Sequence, residues 1–205
     1  MKRKILSIIL AVMMLSVSLC MQSCAGKAPE LASVKARFIW LIENSKEINV
    51  LFFGKGLPIY EREGMLAREL GLYYDDGYSS FNKVMETTRY KSTDEMKKCA
   101  EKVYSTDYLK AIYETAFDGY LTGSSSAYMR FYETSDWLYQ SIYAPDYELS
   151  ERIYDYSSIR MIEPSSDEYI NITIDTYTLA NRKVKTISLS FVYERGNWYL
   201  DSPTY

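Results

Sequence analysis

The stretch Ile170-Asn171-Ile172-Thr173-Ile174-Asp175 decides the fold. Three isoleucines alternate with three polar residues, a period of two that marks a strand with one face buried. Working outward, Asn181-Arg182-Lys183 turns the chain, and Ile187, Leu189 and Phe191 then alternate with Ser188, Ser190 and Val192. Arg195-Gly196-Asn197 leads into a last strand, Trp198-Tyr199-Leu200. Upstream, residues 153–162 read as another strand, ended by Glu163-Pro164-Ser165-Ser166-Asp167. Residues 128–132 and 137–143 read as a hairpin about Thr134-Ser135-Asp136. Consecutive strands joined by short turns must pair antiparallel.

Before residue 123 the period is that of a helix. Val34, Phe38, Leu41, Ile42, Ser45, Ile48, Asn49 and Phe52 share one face of a helix of roughly 20 residues. Pro29-Glu30 opens it, and Gly54, Gly56 and Pro58 stop it. Residues 59–90 are polar, tyrosine-dotted and irregular; 62–70 are expected to form one short helix, and Asp75-Asp76-Gly77 a turn. Ser92-Thr93-Asp94-Glu95 has the form of a capping box, with Ser92 and Glu95 exchanging hydrogen bonds. Met96, Cys99, Ala100, Val103 and Tyr104 follow on one face, and Ser105-Thr106-Asp107 starts a second helix that ends near Gly119. Cys99, on that stripe, reads as a small core residue and not as a nucleophile. Helices first and a meander after give an α+β domain over 31–205. Its helical half is 31–122 and its sheet half 127–205. The expectation is N-terminal helices packed on one curved antiparallel sheet of five to six strands.

The N-terminus gives an address. Lys2, Arg3 and Lys4 precede an apolar run from Ile5 to Leu19, shorter than a span of about 20 residues. Cys24 follows the small Ser23 and precedes Ala25-Gly26, as a lipoprotein cleavage site requires, whereas Cys20 follows bulky Leu19. Residues 1–23 are therefore read as a signal peptide and 24–30 as anchor and linker. Cys24 would carry the lipid on the outer face of a membrane, with plain secretion as the alternative. Loss of the three leader cations leaves 21 Lys+Arg against 27 Asp+Glu, a net charge of −6. An acidic body is not drawn to nucleic acid. It would not hold an anionic bilayer either, so the lipid must do so.

The chain has 205 residues and 0 histidines, which removes Ser-His-Asp and Cys-His catalysis and His-ligated zinc together. Tyrosine is the outlier, with 21 copies, all from Tyr60 onward. Phenol rings offer flat apolar area with a polar tip, so Tyr73-Tyr74, Tyr154/Tyr156 and Tyr199/Tyr205 are candidates for stacking on a sugar or a protein. Gly54-Lys55-Gly56 lacks the spacing of a phosphate loop. Asp75-Asp76 and Ser166-Asp167-Glu168 do not match a calcium loop and read as solvated turns. No cofactor or metal is expected.

The element order resembles cystatin-like and nuclear-transport-factor-like folds, in which a curved sheet wraps a helix. Two segments carry a further resemblance: Phe52-Phe53-Gly54-Lys55-Gly56-Leu57-Pro58, and Gly196 to Tyr205. They are similar to segments of small exported Gram-positive proteins, among them the secreted inhibitors of cell-wall DL-endopeptidases. The resemblance implies a non-enzymatic protein that inhibits or assists a peptidoglycan hydrolase or another envelope protein. Loops on a rigid scaffold carry recognition. The partner-contact candidates are accordingly Phe53, Leu57 and Tyr60 after the first helix, with Tyr73, Tyr74, Asp75 and Asp76. The alternative is a small-ligand or glycan-binding domain with a tyrosine-lined pocket. A third reading, an enzyme working through Asp, Glu or Tyr, has no motif behind it. The oligomeric state is not legible.

Overall fold

The computed structural model of the chain describes residues 26–66, 79–118, 120–122, 125–127, 129–142, 146–147, 149, 152–178 and 184–205. Helix α1 spans Leu31–Phe53 and buries all eight positions that the spacing singles out, together with Leu51. Pro29 lies one residue outside the N-cap Glu30, not within the first turn. No helix among the described residues is long and apolar enough to cross a membrane.

The helix ends as its glycines dictate. The Gly54 amide donates to the carbonyls of Asn49 (3.1 Å) and Val50 (3.2 Å), and Gly56 has φ 75°, where a side chain is strained. A Cβ on Gly56 would also lie 2.1 Å from Gln140 Oε1. Gln140 pins this turn, accepting from the Leu57 amide (2.7 Å) and donating to the Lys55 carbonyl (3.0 Å). Arg130 closes the helix from the other side. Its Nε donates to the Leu51 carbonyl at 2.9 Å, and its terminal nitrogen to the Gly54 carbonyl. Burial pushes this guanidinium down to about 10, partly offset by Asp146.

The sheet architecture differs from the single curved sheet of five to six strands. Two four-stranded antiparallel sheets form, plus a small hairpin. The second sheet is the expected meander: β7 (Arg152–Ile162), β8 (Tyr169–Thr178), β9 (Lys185–Glu194) and β10 (Asn197–Leu200), in the order β10-β9-β8-β7. The first sheet runs β1-β2-β6-β5, from β1 (Ile59–Leu66), β2 (Ser79–Val84), β5 (Phe131–Glu133) and β6 (Leu138–Ser141). β3 (Tyr120–Thr122) and β4 (Ser125–Ala127) make the separate hairpin. Two expectations are thereby corrected. Residues 62–66 are strand and not the start of a helix, and the helical half 31–122 contributes strands. The reason is pairing: β2 joins β6 through Phe81↔Ser141, which draws the β5–β6 hairpin away from the meander. The expected turn at Asn181-Arg182-Lys183 lies outside the described residues.

Helices α2 (Thr93–Ala100) and α3 (Thr106–Tyr113) follow β2 in the chain, and a π turn (Glu114–Asp118) continues α3. Ser92 accepts from the Glu95 amide as a capping box requires, at 3.2 Å. The Glu95 carboxylate, however, takes the amide of Lys91 (2.7 Å) and not that of Ser92. Ser105 caps α3 through the Tyr108 amide (3.1 Å). Cys99 is half-buried against the core, with a free thiol.

Helix α1 is the shared member of the core. In its middle, Phe38 stacks on Phe191 of β9 (centroids 3.8 Å apart) and meets Trp198 of β10 edge-on (5.9 Å). At its C-terminal end Phe52 meets Phe117 (5.8 Å) and Phe131 of β5 (6.4 Å). Ile170, Ile172 and Ile174 are fully buried, as their alternation predicts. The β9–β10 loop is the two-residue turn Arg195-Gly196, both with positive φ (52° and 76°), a twist that suits a tight hairpin.

Candidate functional site

Two residues on the apolar stripe of α1 are polar, Ser45 and Asn49, and both are buried. A buried polar group must find a partner. Here the partner is Thr204, brought over by the segment that follows β10. That segment is fixed at Asp201, whose amide donates to the Ser190 carbonyl (2.9 Å) and whose carboxylate accepts from Ser105. The Tyr104 hydroxyl donates to Asn49 Oδ1 (2.7 Å), and Asn49 Nδ2 donates to Thr204 Oγ1 (2.7 Å). Ser45 gives its proton to the Ile42 carbonyl (2.7 Å), so in the 2.6 Å contact between Ser45 and Thr204 the threonine is the donor. Each hydroxyl proton in this relay has an acceptor. The hydroxyl of Tyr154, on β7, donates to the Thr204 carbonyl.

Asn49, Tyr154 and Thr204 of this network line a cavity of about 430 Å³ between α1, the start of β7 and Thr204-Tyr205. That volume is within the range of small-ligand sites. Tyr154 and Tyr156 alternate along β7 and present nearly parallel rings, 6.1 Å apart and 9° between planes. Tyr205 supplies a third ring, backed by Phe53 at 4.6 Å. Val50 and Leu149 add apolar wall, and Glu43, Lys46 and Arg152 supply the charges. Lys46 bonds Glu43 at 2.7 Å and lies 5.7 Å from the Tyr154 ring centre, while the Tyr156 hydroxyl donates to the other oxygen of Glu43. Burial works against the charge on Glu43, but the hydrogen bonds from Lys46 and Tyr156 outweigh it and hold the carboxyl below its ordinary value. Burial pushes Tyr154 up to about 12 and raises Tyr156 further; for Tyr156 the bond to Glu43 adds to the effect.

Of the residues expected to contact a partner, the described ones, Phe53, Leu57 and Tyr60, have different surroundings. Phe53 backs the cavity through Tyr205. Leu57 packs on the core and is tied to Gln140. Tyr60 sits on β1, donating to Glu86 (2.5 Å) with Lys83 5.7 Å from its ring centre. Tyr73, Tyr74, Asp75, Asp76 and the lipidation candidate Cys24 lie outside the described residues. Of the tyrosine pairs, Tyr154/Tyr156 line the cavity together. Tyr199 instead carries Arg195 (4.1 Å) and Arg37 (5.5 Å) on its ring and is not among the cavity's lining residues, whereas Tyr205 is. Lys46, Asn49, Arg152 and Thr204 escape a reading of the sequence for sites. The one available signal was the pair of polar residues, Ser45 and Asn49, on an otherwise apolar stripe. No protein-family model and no curated protein matches this chain.

Proposed function

We propose that this chain is a non-catalytic, lipid-anchored binding protein of the extracytoplasmic face that takes a small ring-bearing ligand in the cavity between α1 and β7. The observation that carries this reading is the tyrosine-walled cavity itself: three phenol rings around a floor of hydrogen-bonded polar side chains. Such a wall offers stacking area with few charges to desolvate. Among the described lining residues the carboxylate is that of Glu43, which is engaged by Lys46 and Tyr156, a poor starting point for acid–base chemistry. The inhibitor reading rests on Phe53, Leu57, Tyr60 and the 73–76 stretch; Phe53 and Leu57 pack inward, and this favours the cavity over the loop as the binding element.

Val50 lines the cavity yet is 46% exposed, so a larger side chain there should plug it without touching the core. In a screen of small glycan fragments and short peptides, binders are expected to shift the NMR signals of Val50, Tyr154 and Tyr156. Val50→Trp should weaken them at least tenfold with little change in Tm. Failure of every ligand to move those signals, or a plug without effect, would refute the reading.

The anchor is tested separately. Cys24→Ser is expected to release the chain from membranes into the medium, as followed by fractionation. Retention of that variant, with release of Cys20→Ser, would assign the lipid to the other cysteine.

A further inference from the structure

We infer that the ligand of this cavity is a monoanionic acid, a carboxylate carried on a ring, with its oxygens received by Arg152 and its ring laid on Tyr154 and Tyr156. The inference rests on the ligand-binding reading above and adds the chemical class. Its starting point is Arg152, the first residue of β7, half-buried in the cavity wall two residues from Tyr154. Its Nε is closed off from solvent and has no hydrogen-bond partner, the sole side-chain atom among the described residues in that position. Its terminal nitrogens, which unlike Nε are open to solvent, donate to no described residue either, so the guanidinium stands without an acceptor at the cavity wall.

The other charges of the wall do not supply what is missing. Glu43 is held by Lys46 at 2.7 Å and by the Tyr156 hydroxyl, so the pair Glu43/Lys46 balances itself. Among the described lining residues, Arg152 is then one positive charge in excess. A carboxylate approaching end-on takes both terminal nitrogens of a guanidinium at once, the donors of Arg152 that a ligand in the cavity can reach. One guanidinium matches one negative charge. A phosphate dianion would bring a second, beside Glu43. Two adjacent phenol faces give a ring attached to that carboxylate a surface to lie on.

The test titrates the full-length chain, in detergent, by ligand-observed NMR with four probes: glucose, glucuronate, glucose 6-phosphate and 4-hydroxyphenylacetate. Glucuronate carries a carboxylate where glucose has a hydroxymethyl group and is otherwise the same, so glucuronate is expected to bind at least tenfold more tightly. If 4-hydroxyphenylacetate is the stronger of the two acids, the ring is aromatic; if glucuronate is, the ring is a sugar. Either result supports the carboxylate. Arg152→Gln should bring both acids down to the level at which that variant binds glucose, and Arg152→Lys, which keeps the charge but not the fork, should lose several-fold. Should the Gln variant not fold, the Lys variant carries the comparison. Equal binding of glucose and glucuronate, insensitive to Arg152, would overturn the acid and leave the ring-binding site standing. Tighter binding of glucose 6-phosphate than of both acids would overturn the carboxylate. Binding that survives Val50→Trp, or no binding by any probe, would overturn both readings.

Discussion

Ile172→Asp is expected to leave the chain unfolded at 25 °C. Ile172 is fully buried in the middle of β8, opposite Met161 of β7 and Leu189 of β9. The substitution removes a large apolar side chain, which alone costs about 2–5 kcal/mol when truncated. It also places a carboxylate where nothing polar faces it, which costs several kcal/mol more even if the group takes up a proton. The total is comparable with the whole stability of a domain of this size, roughly 5–15 kcal/mol. Ile172→Val, at about 0.5–1.5 kcal/mol, and Thr173→Asp on the opposite face are the controls. Denaturant midpoints should fall in the order wild type, Val, Asp. A Tm for Ile172→Asp within a few degrees of wild type would mean that the strand faces the other way.

The second large effect is alkaline. Tyr104, Tyr108, Tyr113, Tyr154 and Tyr156 all have their pKa raised, in each case chiefly by burial. The unfolded chain releases these protons near the ordinary tyrosine value of about 10. The folded chain holds them longer, to about 12 for Tyr154. Folded pKa values above unfolded ones mean stability that is complete below pH 10 and is lost as pH rises toward 12 and beyond. Tyr154 alone accounts for roughly 2–3 kcal/mol at about 1.4 kcal/mol per unit. Absorbance at 295 nm should therefore show a fraction of the 21 tyrosines ionising only when the far-UV dichroism collapses. Tyr154→Phe should flatten the stability curve between pH 10 and 12. Complete ionisation near pH 10 with the fold intact would contradict the burial of these rings.

Much of the architecture was legible because its signals are local. The stripe of α1, the alternation of β8 and β9, and the Ser92 and Ser105 caps each depend on residues within one turn or one strand. Strands β1 and β2 were not legible: Ile59-Tyr60-Glu61-Arg62-Glu63 has no clean alternation, and its pairing with β2 is bulged. What makes these residues strand is a partner elsewhere in the chain. The cavity was hidden for the same reason. Tyr154 and Tyr156 stood out by type and spacing, but their floor comes from Asn49 and Thr204, 155 positions apart. Arg152 has nothing in its sequence neighbourhood to mark it, since its interest lies in an acceptor that is missing.

The pairing of β2 with β6 has a consequence in chain entropy. Every strand of the meander meets its neighbour across a short connection, so each closure costs little. Joining Phe81 to Ser141 instead closes a loop of some 60 residues, with α2 and α3 inside it. That cost grows only as the logarithm of length, yet it falls on a strand pair with just three matched residues, Phe81, Asn82 and Lys83. The first sheet therefore draws its persistence from what lies under it, the Phe52–Phe117–Phe131 rings and the grip of Arg130 on the end of α1. In thermodynamic terms it is a dependent of the helix, while the meander is the helix's equal.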